Sequence, residues 1–172
     1  IEFDRIPGSW SLTDPAGEER LPCGEDGFLH EYVDVSALGE GLPEEVVLDF
    51  PAGAAIGELY VFSEGELPGW VQVWQPPCDQ ADLLLISSHA DDEQLFFAGV
   101  LPYYAVERDL NVQVAYLVQY FEGGYADHRR PHEQLDGLWT VGVRSYPVMP
   151  RFPDLYSESK NREKALAQAL SV

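Results

Sequence analysis

Apolar positions along this chain follow two different rhythms, and the change falls near residue 76. Before it, short runs at 31–35, 45–50, 57–62 and 70–74 are rich in Val, Phe, Tyr and Trp and partly alternate with polar positions. Gly, Pro and acidic residues separate them at 39–43, 51–53 and 63–69. Alternation with a period of two marks strands half-buried in a sheet, and strands at this spacing predict a small sandwich or jelly roll over residues 1–75. Within it, Trp70 and Trp74 bracket Val71-Gln72-Val73. Such a pair packs in a core by default, and the alternative is a ring face offered to a sugar. Residues 76–81, opening with Pro76-Pro77, read as a stiff linker.

After the linker the pattern lengthens. Residues 82–86 are a near-continuous apolar run, as in a central parallel strand buried on both faces. Over 91–108 apolar residues recur near the helical period at Leu95, Phe96, Val100, Tyr103, Tyr104 and Val106, with Pro102 placed to kink or split the helix. A second strand is predicted at 111–120, a turn at 122–124, and a helix at 131–141 with Pro131 in its first turn and Gly142 at its stop. A third strand is predicted at 145–149. A third helix follows at 157–170, striped by Ala165, Leu166, Ala169 and Leu170. The order β-α-β-α-β-α predicts a right-handed, mostly parallel, Rossmann-like sheet, incomplete within 82–172 and preceded by the smaller β-sandwich region.

Charge narrows the classes of partner. The net charge is −20, and residues 1–80 carry 17 acids against 2 bases. That surface repels phosphate backbones and anionic lipids, which argues against nucleic-acid or membrane binding, and its ordinary role is solubility. No apolar stretch approaches the 18 or so residues of a membrane span. Cys23 and Cys78 are too far apart for a CxxC motif, so a disulfide and two buried free thiols both stay open. No G-x-G-x-x-G, P-loop or G-x-S-x-G motif is present, which disfavours dinucleotide binding and serine nucleophiles.

The chemistry concentrates in Ser87-Ser88-His89-Ala90-Asp91-Asp92-Glu93, directly after the first apolar run. Open α/β folds place their sites at the carboxyl ends of strands. Acids here also suit a helix N-terminus, with Ser88 as a cap. Three consecutive acids exceed what capping needs, and a cation relieves their mutual repulsion. His and Asp at i and i+3 can reach one divalent metal such as zinc.

A strand followed by His-x-Asp-Asp-Glu resembles the PIG-L / LmbE-like metal-dependent de-N-acetylases, whose signature is His-Pro-Asp-Asp-Glu. The resemblance covers roughly residues 81–150 and includes the later Arg130-Pro131-His132-Glu133. It implies a Zn2+-dependent (or other divalent-metal) hydrolase that removes acetyl from an N-acetylglucosamine-type sugar or glycoconjugate. His89 and Asp92 are then metal ligands and Asp91 the general base for the attacking water. Glu93 is a supporting residue behind them, and Arg130 a substrate-binding residue, with Arg129 one register step away. Ala90 stands where the family has proline. The family's third ligand comes from a downstream His-x-x-His-like element, which His128 and His132 do not match. It is expected beyond Val172, in a longer polypeptide whose β-rich region also begins before Ile1, so that 82–172 alone is inactive. The competing reading is an inactive carbohydrate-binding protein with a degenerate deacetylase-like domain. The β-rich region weakly resembles galactose-binding-like modules around residues 45–63. This suggests secretion or the cell envelope, with the cytoplasm as the alternative.

Overall fold

The computed structural model of the chain describes residues 1–17, 20–38, 44–118 and 125–149. The chain divides into two compact units, Ile1–Trp74 and Gln75–Val172. The expected helix at 157–170 and the turns at 39–43 and 122–124 lie wholly or mostly outside the described residues.

In the first unit, strands β1 (Glu2–Arg5), β2 (Trp10–Thr13), β3 (Arg20–Cys23), β4 (Val47–Asp49) and β5 (Ala55–Glu58) form two antiparallel sheets. One pairs β1 with β5, and the other runs β3-β2-β4. Pro22, which has no N–H to give a ladder, sits on the outer strand β3, the place a sheet tolerates it. The core gathers Phe3, Trp10, Leu12, Phe28 and Leu29. Trp10 stacks on Phe50 at 4.8 Å between centroids, and Phe3 meets both rings edge-on. The Glu31 carboxylate closes this core: Trp10 Nε1–H donates to one oxygen at 2.8 Å and the Gly24 N–H to the other at 2.6 Å.

Several predicted strands are absent here. Residues 31–34 form no strand and lead into a 3₁₀ turn at Val35–Leu38; the bridge Glu2↔His30 and the hydrogen bonds exchanged by Ile1 and Glu31 tie their start to the beginning of the chain. The run at 57–62 leaves its sheet after Glu58, so Leu59, Tyr60, Val61 and Phe62 face outward. Residues 70–74 form no strand; Val71 N–H instead closes a turn on Pro68 O. Trp74 is buried, with its Nε1–H on Gln72 Oε1 at 2.8 Å, whereas Trp70 is 53% exposed.

In the second unit, β6 (Leu83–Ser87) and β7 (Val112–Tyr116) pair in parallel, Leu85 opposite Val114. Helix α1 spans Asp92–Phe97, α2 Val100–Pro102 with a π-helical turn at Tyr103–Glu107, and α3 Tyr125–Thr140. The predicted helix over 91–108 is thus broken. Gly99 lowers helix propensity where the break falls, and Pro102 supplies no N–H to the ladder. Helix α3 starts six residues before the predicted Pro131 and carries that proline inside it. It ends at Gly142 (φ +89°): Val143 N–H reaches Leu138 O and Gly142 N–H reaches Trp139 O, a Schellman closure. A Cβ on Gly142 would strike the Val106 side chain, so the stop also packs α3 against the π turn.

Among the described residues the fold is therefore a mixed α/β arrangement of two small antiparallel sheets and one parallel pair, not the mostly parallel Rossmann-like sheet that the sequence predicts. Two physical facts account for the difference. Pro147 interrupts the expected strand at 145–149, leaving only bridges at Gln75↔Ser145 and Ala115↔Val148. β6 is also not buried on both faces, since Leu84 and Ile86 are 54% and 57% exposed while Leu85 and Ser87 point inward. The buried strand is β7, whose Val112, Gln113, Val114 and Tyr116 are enclosed.

Candidate functional site

Strand β6 ends at Ser87, and the residues that follow β7 still bond to its end. Leu117 N–H donates to Ser87 O and Val118 N–H to Ser88 O. The buried Ser87 hydroxyl then donates to the His89 carbonyl at 2.8 Å and folds the chain back. As a result His89 N–H donates to Asp92 Oδ2 at 3.1 Å, and the His89 ring Nδ1 lies 3.6 Å from the same oxygen.

Asp91 occupies the position before α1 with φ +120° and ψ −27°. An L-residue enters that region only under constraint, at a cost of about 1–3 kcal/mol. Three bonds supply the constraint. The Asp91 carbonyl accepts the N–H groups of Gln94 and Leu95, both at 2.9 Å, and the Asp91 N–H donates to Glu93 Oε2 at 2.9 Å. Glu93 is 1% exposed. Its Oε2 is the pin that fixes the turn. Ser88 is not the cap, and no side chain caps this helix.

The Asp91 carboxylate, about half exposed, faces Arg130 from α3, with Nη2 to Oδ2 at 3.8 Å. Arg130 also donates to Glu133 Oε2 at 3.3 Å. Arg129 pairs with Glu133 Oε1 at 3.6 Å. Of the two neighbouring arginines it is therefore Arg130 that meets the motif. The structure thus brings His89, Asp91, Asp92, Glu93 and Arg130 into one open site at the carboxyl end of β6. Glu133, which the sequence reading placed in the Arg130-Pro131-His132-Glu133 segment without giving it a role, joins them through its i+3 spacing from Arg130 on the helix.

The donor set fits a metal in part. Two ligands at ~2.1 Å from a tetrahedral ion stand about 3.4 Å apart, and the 3.6 Å between His89 Nδ1 and Asp92 Oδ2 is close to that. An imidazole with a carboxylate suits zinc and its first-row neighbours. Catalytic zinc takes three protein ligands, so this pair needs a third. The His128 side chain lies outside the described residues, and His132 is half-buried on α3.

The first unit holds a second pair of this donor type, which sequence reading missed. A Glu2 carboxylate oxygen and a His30 ring nitrogen lie within 4.8 Å of each other. The bridge Glu2↔His30 brings them together across 28 residues, and no local spacing announces it. His30 Nδ1 is 2.7 Å from Gln72 Oε1, the same oxygen that accepts Trp74 Nε1–H. An oxygen can only accept, so Nδ1 carries the proton and Nε2 is left as the acceptor, the tautomer that metal-binding histidines use. Cys23 and Cys78 are both free thiols. Burial, with Glu31 adding to it, pushes the Cys23 thiol up to about 11 against a backbone hydrogen bond from Leu12.

Comparison with family models, with curated proteins and with solved structures finds no match to this chain. The likeness to the PIG-L / LmbE-like deacetylases stands on the motif residues alone.

Proposed function

We propose that residues 82–172 belong to a metal-dependent hydrolase that removes acetyl from an N-acetylglucosamine-type sugar. The observation that carries this reading is the His89–Asp92 pair, set at metal-ligand spacing at the end of β6 with the carboxylate of Asp91 beside it. Zn2+, held by His89, Asp92 and a third ligand, would supply a Lewis acid for the acetyl carbonyl and acidify the attacking water. Asp91 takes the proton from that water at its exposed carboxylate and returns it to the departing sugar nitrogen. Glu93 holds the Asp91 backbone so that this carboxylate points outward. Arg130 leaves Asp91 for the sugar when substrate arrives, because a 3.8 Å exposed ion pair holds it weakly. Secretion or attachment to the cell envelope belongs to the same proposal, since polymeric N-acetylated sugars are found there.

The test is acetate release from N-acetylglucosamine oligomers by the full-length protein, with bound metal measured alongside. Asp91→Asn is expected to abolish release while the metal stays, and His89→Ala to lose both. Loss of metal in Asp91→Asn would remove the role given to Asp91. A second reading, an inactive carbohydrate-binding protein, is favoured by the two-ligand count and by the exposed ring of Trp70. Sugar binding that survives a chelator, with no amine released from any N-acetyl sugar, would put it first.

A further inference from the structure

The first unit carries an outward-facing groove of about 490 Å³ between residues 32–36 and 61–67. Ligand sites for small molecules commonly fall in the range of about 300–1,000 Å³. Its apolar lining comes from Val33, Val35 and Phe62 with Val61 at the rim, and its charged groups are the carboxylates of Asp34 and Glu64. A smaller cleft shares Tyr32, Val33 and Phe62 with it and leads to Trp70. Three rings brace that end: Tyr60 meets Trp70 at 5.0 Å and 71°, and Phe62 meets it at 5.9 Å and 60°. Trp70 is the most exposed of the three rings. A bulky ring held rigid at the surface is a stacking platform that loses little entropy on binding.

Charge selects among the ligands that can stack. The groove lining contains no Lys, Arg or His, and residues 1–80 as a whole hold 17 acids and 2 bases. Anionic ligands such as phosphates and uronic acids are repelled. Asp34 is fixed in place, since hydrogen bonds from the Ser36 hydroxyl and from the Ser36 N–H, the latter at 3.0 Å, hold its carboxyl below the usual carboxylate range. Apolar lining, fixed aromatic wall and rim carboxylates together match a ring with one apolar face and a cationic substituent.

We propose that this groove binds an amino-sugar chain, an oligosaccharide whose pyranose rings carry free ammonium groups. A ring face stacks on Trp70, and the ammonium groups lie against Asp34 and Glu64. The inference rests on the deacetylase reading in one respect: hydrolysis of sugar N-acetyl groups produces this ligand, so the groove would hold a partly processed chain.

The experiment is calorimetric titration of the full chain carrying Asp91→Asn, so that no hydrolysis intervenes. The probes are a glucosamine tetramer, its fully N-acetylated counterpart and tetralysine. The glucosamine tetramer is expected to bind at least about tenfold more tightly than either of the others, with the preference weakened by high salt. Trp70→Ala is expected to weaken it about tenfold. Val61→Lys, at a position 87% exposed and so without effect on folding, is expected to abolish the preference by placing a cation in the groove. Equal binding of the N-acetylated tetramer would make the occupant a neutral sugar and overturn the proposal. Equal binding of tetralysine would reduce it to bare charge attraction and do the same. A concentration-dependent dimer dissolved by Val61→Lys would assign the groove to a second copy of the chain. Acetate release by the chain with Asp91 intact is read separately, so loss of either function leaves the other standing.

Discussion

Glu31 in the β-rich unit and Asp91 in the strand–helix unit are both carboxylates beside backbone turns, and the protein treats them in opposite ways. Both oxygens of Glu31 are filled by fixed neutral donors, the Trp10 ring N–H and the Gly24 N–H, at 2.8 and 2.6 Å. Asp91 has its backbone pinned by Glu93, but its carboxylate faces a guanidinium at 3.8 Å that is shared with Glu133. Short bonds from neutral donors bind an acid into the structure and occupy the lone pairs that chemistry would need. A long, exposed ion pair keeps the charge in place while leaving it free to exchange partners. The contrast separates an acid bound into the structure from one left able to exchange partners, without reference to any motif.

The largest expected effect tests the acid left able to exchange. Asp91→Asn should lower acetate release by the full-length protein by roughly 10²–10⁴ while moving the urea midpoint little, by about 0.5 kcal/mol or less. Glu31→Ala should do the reverse. It strands two N–H donors, one on a core indole, and should destabilise the fold by about 3 kcal/mol in denaturant titration. A neutral result there would mean that water replaces the carboxylate and that Glu31 is not the structural acid described. Smaller again is Asp91→Gly. Removing the Cβ at φ +120° should stabilise the protein by about 1 kcal/mol even as activity is lost, and a loss of stability would show the backbone to be unstrained.

The smallest effect concerns Cys23, whose thiol is raised first by burial and then by the nearby charge of Glu31. The thiol goes from an ordinary 9.0 to about 11, so the folded protein holds the proton more tightly than the unfolded chain. Stability from this group is complete below pH 9 and falls as pH rises through 11. Iodoacetamide at pH 8 should accordingly modify Cys78 and spare Cys23. Comparable rates would place Cys23 outside its buried setting.

Part of this was legible in the residues and part was not. The β6 run and the motif behind it are local patterns, and the site assembles from them almost without outside help, since Ser87, His89, Asp91, Asp92 and Glu93 bond to one another. Arg130 was legible as a residue, whereas its choice over Arg129 needed the helix phase that α3 supplies. The sheets were not legible. Strand β1, with Glu2 and Arg5, and strand β3, with Pro22, look like loops and become strands only through partners far along the chain. Residues 59–62 show the reverse error: Leu, Tyr, Val and Phe read as a strand, yet β5 ends at Glu58 and they turn outward. Apolar composition records affinity for a covered surface; it does not say which surface does the covering.

Leu84 and Ile86 give β6 an outward apolar face, and Leu95 and Phe96 on α1 are still more exposed. In water such faces seek one another, and what holds molecules apart is the colloidal repulsion of a chain charged −20. That protection is itself titratable. Near the isoelectric point of about 4.2 it vanishes while the apolar faces remain, so acidified solutions should cloud. The acid limb of any activity profile will then be cut short by precipitation.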